Sequence, residues 1–81
     1  MSQLNTCIGR YCLKASDQGG LIRGSIAING EGGSVQSQQQ FAVHYMNDVL
    51  NNVVYPVTGG NRQITDDFRK KMQAAGFEQP H

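Results

Sequence analysis

The sequence predicts a small α+β domain in which an antiparallel β-hairpin or three-stranded meander packs against two C-terminal helices, in the order ββ(β)αα. Three observations carry this expectation. Apolar residues alternate with polar ones through the front half, glycine-rich turn signals interrupt that alternation, and from Ser37 onward the apolar spacing lengthens to the helical period. The chain has 81 residues and a mass of 8.9 kDa, which leaves room for a single hydrophobic core. Residues 1–81 are therefore expected to form one domain, with short flexible ends at 1–5 and 78–81.

The first strand is expected over Thr6 to Ala15, where Cys7, Tyr11, Leu13 and Ala15 share one parity and Ile8, Arg10, Cys12 and Lys14 the other. Ser16-Asp17-Gln18-Gly19-Gly20 then combines small polar side chains with glycines able to adopt positive φ, so a hairpin follows. The alternation is cleaner from Leu21 to Asn29 and turns Ile22, Ile26 and Ile28 toward the core. Asn29-Gly30 is a turn signal extended by Glu31-Gly32-Gly33, and Ser34, Val35 and Gln36 are the candidate third strand.

Ser37 and Gln40 have the capping-box spacing, which predicts a helix from there to about Asn52. Such a helix lines up Phe41, Ala42, Tyr45, Met46, Val49, Leu50 and Val53 on a broad apolar stripe. The stripe is wider than one sheet face requires, and its surplus predicts self-association, as do hairpin edges left open to pair across a two-fold. Pro56 disfavours helical geometry at Tyr55 and is expected to end the helix. Thr58-Gly59-Gly60-Asn61 reads as a loop. The last helix is predicted over Asp66 to Ala75, with Thr65 as N-cap, Asp66 and Asp67 at the positive end of the dipole, and Arg69, Lys70 and Lys71 beyond. Phe68, Met72 and Ala75 form its seam, and Gly76 followed by Phe77 fits a Schellman stop with Phe77 packed on Met72.

Composition narrows the chemistry. Gly, Gln and Asn make up 25 residues, while charged residues are 16% and the net charge is +1. The polarity is that of amides and glycine, and the charge balance disfavours indiscriminate nucleic-acid binding. No apolar run approaches the length of a membrane span and the N-terminus lacks a signal-peptide pattern, so a soluble, cytoplasmic protein without membrane attachment is expected. Cys7 and Cys12 are the only cysteines. On one continuous strand they would point to opposite faces about 16 Å apart, so neither a disulfide nor a chelate is expected.

Catalytic parts are scarce. His44 is the single internal histidine and falls on the predicted polar helix face, and nothing local would lower the pKa of a Cys12 thiol paired with it. Neither glycine-rich loop has a phosphate-binding motif. No enzyme activity, cofactor or metal site is expected. Cations are the remaining lead: Arg10 and Lys14 on one strand face with Arg23 on the next strand, and Arg62, Arg69, Lys70 and Lys71 at the last helix. Tyr11, Tyr55 and Phe77 are candidate exposed aromatics, of which Tyr11 neighbours the first patch. The residues expected to touch a partner are Arg10, Tyr11 and Arg23 in one group and Arg62, Arg69, Lys70 and Lys71 in the other. The functional expectation is a small protein-interaction module, a dimer, that inhibits or regulates a larger protein or complex, as accessory proteins of phages and other mobile elements do. The alternative is a dimeric, sequence-specific DNA- or RNA-binding regulator.

Overall fold

The computed structural model of the protein describes residues 2–29 and 35–78. Met1, residues 30–34 and residues 79–81 lie outside them. The first strand departs from expectation at Gly9. That residue has φ +60° and Arg10 has negative φ, the type II′ pattern that joins antiparallel strands through two residues. The expected Thr6 to Ala15 strand is therefore a hairpin of β1 (Gln3–Ile8) and β2 (Tyr11–Gln18), in register from Ile8↔Tyr11 to Gln3↔Ser16. Gln3, Leu4 and Asn5, expected as a flexible lead-in, begin β1.

The second turn follows the sequence closely. Gly19 and Gly20 both take positive φ, +67° and +93°, as a type I′ turn requires, and the Asp17 carboxylate accepts the Gly20 N–H at 2.9 Å. β3 (Leu21–Asn29) has the expected boundaries. β4 (Val35–Val43) completes a four-stranded antiparallel meander in the order β1-β2-β3-β4. The α+β layout is as predicted, with one strand more.

The additional strand comes from the Gly9 hairpin, whereas β4 is the candidate third strand, begun at Val35 and carried on through residues expected in a helix. Phe41 and Val43 pair with Gly24 and Ile22, and both pack against the core, while Gln38, Gln40 and Ala42 project from the other face and are exposed. Ser37 and Gln40 are strand residues and cap nothing. The six residues from Gln38 to Val43 satisfy either period, and pairing with β3 decides between them. The helical part, α1, covers residues 46–57 and starts with an α-turn at Met46–Val49. A wider π-turn follows at Leu50–Val54, where the Tyr55 N–H reaches back five residues to the Leu50 carbonyl. The helix then continues through Tyr55–Val57, past Pro56. Proline normally collides with the carbonyl four residues earlier. Widening the preceding turn moves that carbonyl aside, so Pro56 does not end the helix near Asn52.

The final helix, α2 (Arg62–Ala74), starts a turn before the prediction. Asn61 is its N-cap and accepts the Ile64 N–H at 3.1 Å. Thr65 is buried inside the helix and its hydroxyl donates back to the Asn61 carbonyl at 2.8 Å. Asp66 and Asp67 therefore lie in the second turn and do not stabilise the helix start. The C-terminal end is as predicted: Gly76 has φ +90°, the Phe77 N–H reaches the Met72 carbonyl at 3.0 Å, and the Gly76 N–H reaches Gln73 at 3.1 Å. Phe77 is consequently buried and is no exposed anchor.

Both helices pack on one face of the sheet. Leu13, Ala15, Ile22 and Ile26 meet Met46, Val49, Leu50, Val53 and Val54 from α1, and Phe68 and Met72 from α2. Met46, Val49, Leu50 and Val53 are thus satisfied within the chain, which removes the surplus apolar surface from which self-association was expected. Tyr45, placed on that stripe by the sequence, is instead 51% exposed. At Gly24 the backbone of β2 approaches β3 closely. A β-carbon there would collide with the Lys14 carbonyl oxygen and stand 2.9 Å from the Ala15 Cα.

Candidate functional site

The face of the sheet opposite the helices is uncovered. It presents Gln3, Asn5 and Cys7 from β1, Cys12, Lys14, Ser16 and Gln18 from β2, Leu21, Arg23, Ser25 and Ala27 from β3, and Gln38, Gln40 and Ala42 from β4. None of these side chains is buried. Two cations stand on this face and, among the described residues, no acid. Strand register places them together: Lys14 lies opposite Ser25 and between Asn5 and Ser25, while Ser16 lies opposite Arg23. Lys14 and Arg23 are diagonal neighbours, a relationship that long side chains span. The short Ser16 and Ser25 side chains between the longer Gln3, Asn5, Lys14 and Arg23 leave a shallow depression of about 590 Å³. Its rim supplies ammonium, guanidinium and amide donors, with hydroxyls at the floor, a combination that binds carboxylates and carbonyl oxygens.

A second, smaller cleft of about 370 Å³ lies between the helices and is lined by Asn51, Tyr55, Arg62, Thr65, Asp66 and Arg69. Arg69 is engaged inside the molecule. One guanidinium N–H donates to the Asn47 side-chain oxygen at 3.0 Å, and Nε lies 3.4 Å from an Asp66 carboxylate oxygen. It ties α2 to α1 and is only partly available to a partner. Tyr55, 36% exposed, packs beside Gly60 with its hydroxyl 3.4 Å from where a Gly60 β-carbon would be.

The two groups expected from the sequence are distributed differently in space. Arg10 occupies the β1–β2 turn, so it does not share a strand face with Lys14. Tyr11 is half-buried on the helix-facing side against the core, whereas Arg23 stands on the uncovered side. Arg62 and Arg69 line the interhelical cleft, while Lys70 and Lys71 are exposed on other faces of α2. Lys14, Ser16 and Ser25 meet across the β2–β3 pairing, and the β1–β2 hairpin adds Gln3 and Asn5. The sequence signal that reveals them is Gly9, whose turn converts one long strand into two.

Cys7 and Cys12 face each other across this hairpin and form a disulfide, with Cα atoms 4.0 Å apart. The expectation of two separated thiols fails for the same reason as the single strand: the chain reverses between them. No thiolate is therefore available to pair with His44, which is exposed beside Tyr45. Among the described residues no group of three or more His, Cys, Asp or Glu side chains could hold a metal. The Thr58 to Asn61 loop is a helix connection. The Thr58, Gly59 and Gly60 N–H groups go to the Val54, Pro56 and Tyr55 carbonyls, and the Asn61 N–H goes to the Thr58 hydroxyl. Those donors are occupied and cannot cradle a phosphate. The Asn29 to Gly33 loop lies largely outside the described residues. No helix is long and apolar enough to cross a membrane. No protein-family model matches the chain, no curated protein is significantly similar to it, and no solved structure matches it significantly.

Proposed function

We propose that the protein is a small interaction module that inhibits or regulates a larger protein or complex by laying the uncovered face of its sheet on an acidic, hydrogen-bonding surface of that partner. The observation that supports this reading is the joint placement of Lys14 and Arg23 among amide and hydroxyl groups on an uncovered face that carries no acid among the described residues. The strands fix the backbone from which these side chains project, so no backbone ordering is required on contact, and charge complementarity steers the encounter. In this reading the module acts by occupancy and performs no catalysis.

The same cations and amides keep a second reading open, that of a nucleic-acid-binding regulator. Sheets that bind single strands stack bases on exposed aromatics, and this face carries none among the described residues. Two cations also give a weak phosphate footprint. The protein reading is therefore preferred. A tagged pull-down from native lysate, split into nuclease-treated and untreated halves, separates the two. A discrete protein that survives nuclease and is lost with Lys14→Glu plus Arg23→Glu supports the module. Loss of all bound material with nuclease supports the alternative.

A further inference from the structure

β4 is an edge strand, and its free edge can be derived from the hairpins. A two-residue hairpin closes on a hydrogen-bonded pair, here Gln18↔Leu21, after which bonded and non-bonded pairs alternate. Leu21, Arg23, Ser25 and Ala27 thus direct their backbone groups to β2, and Ile22, Gly24, Ile26 and Ile28 direct theirs to β4. The bond from the Asp17 N–H to the Ser2 carbonyl, at 2.9 Å on the opposite side of the sheet, obeys the same alternation. The partners of the second set, Val43, Phe41, Gln39 and Ser37, engage β3. Gln38, Gln40 and Ala42 therefore present N–H and C=O outward, and no other described backbone group takes them up.

Edge strands that stay single are blunted by charge, proline or a bulge. From Val35 to Val43, β4 has no charged residue and no proline, and the one irregularity in its pairing lies at Ile28/Asn29, near its start. About Gln39 the strand carries like residues at Gln38 and Gln40 and at Val35 and Val43, while Ser37 with Phe41 and Gln36 with Ala42 differ. An isologous two-fold contact joins residue i to j and j to i, which the uncharged glutamine centre of β4 allows without opposing like charges.

We infer that β4 pairs antiparallel with β4 of a second copy of the chain, on a two-fold axis at Gln39. Gln38 then lies opposite Gln40 of the second copy as a hydrogen-bonded pair, and the two Gln39 residues oppose each other as a non-bonded pair. About eight backbone hydrogen bonds form between residues 36 and 42 of the two strands. Glutamine amides can bond across the join, and no like charges meet. The pairing preserves the facing of each residue, so the sheet runs through both copies with the helices on one side and both Lys14–Arg23 depressions on the other. This assembly is independent of which partner that face binds.

Sedimentation over a wide concentration range tests the pairing, together with single cysteine variants in a glutathione redox buffer. The expected mass is that of two chains. Gln39→Cys brings two Cα atoms to about 4.5 Å and forms a covalent dimer, whereas Gln38→Cys leaves its Cα pair beyond disulfide reach and does not. Gln40→Pro removes an outward N–H while sparing the β3 ladder, and raises the dimer dissociation constant at least about tenfold with unchanged circular dichroism. Should that variant unfold, Gln38→Lys with Gln40→Lys sets like charges opposite each other across the axis and produces the same dissociation. A monomer at every concentration overturns the inference. So does equal cross-linking at positions 38 and 39, a dimer that survives both sets of substitutions, or a strand from a different protein occupying β4.

Discussion

Cys7 and Cys12 stand directly across the β1–β2 hairpin from each other, joined by a disulfide with Cα atoms 4.0 Å apart. In the alternation that starts from the bonded Ile8↔Tyr11 pair, they occupy a non-hydrogen-bonded position, where antiparallel Cα atoms approach most closely. The link closes a very short loop at the end of the sheet. Loop-closure entropy for so short a segment predicts that reduction lowers stability by about 2 kcal/mol. Urea unfolding with and without a thiol reductant measures this, and Cys7→Ser with Cys12→Ser removes the reductant effect.

Gly24 is required for a reason that its φ does not reveal. Its place opposite Ala15 leaves no room for a side chain, because Lys14 and Ala15 backbone atoms fill the position of a β-carbon. Gly24→Ala should cost about 2 to 3 kcal/mol through strand displacement. Gly59→Ala, which meets open space but a positive φ, should cost only about 1 kcal/mol. Equal losses in thermal or urea unfolding would contradict this account of the β2–β3 contact.

The start of α2 separates two candidate caps. Asn61→Ala removes the side-chain acceptor of the Ile64 N–H and is expected to lower stability by about 1 kcal/mol. Thr65→Val keeps the shape of a buried residue and removes only a hydroxyl bond to a carbonyl that the Thr65 N–H already reaches, so its loss should stay below about 1 kcal/mol. Were Thr65 the cap, the order of the two effects in urea unfolding would reverse.

Arg69 links the two helices. A double-mutant cycle between Asn47→Ala and Arg69→Ala should give a coupling of about 1 kcal/mol, since the bond has a charged donor and is partly shielded. Asp66 is 68% exposed, and its coupling to Arg69 should be smaller and vanish in high salt.

If the uncovered sheet face binds the partner as proposed, Lys14→Glu and Arg23→Glu should each weaken binding at least about tenfold with little change in unfolding midpoint. Lys70→Glu and Lys71→Glu, on α2 away from that face, should leave affinity within about twofold. Calorimetry or surface plasmon resonance with the captured partner reads both, and the reverse pattern would move the interface to the helix.

Local signals in the sequence determined the elements whose chemistry is short-ranged. The Gly19-Gly20 turn, the boundaries of β3 and the Schellman stop at Gly76 and Phe77 are legible because each needs only a few neighbouring residues with particular φ preferences or a simple two-residue period. Tertiary structure decided the rest. Gly9 reads as one glycine within an apparent strand until β1 and β2 pair, and that pairing alone brings the cysteines within bonding distance. Phe41 fits a helical stripe as well as a strand face, with Val43 at the margin of that stripe, and the exposed edge of β3 makes both strand. Pro56 reads as a helix stop, yet the packing of Leu50, Val53 and Val54 into the core holds a widened turn that accommodates it. The proposed binding face follows from these outcomes, because Lys14 and Arg23, neighbours once β2 pairs with β3, stand on an uncovered surface only after both helices commit to the opposite side.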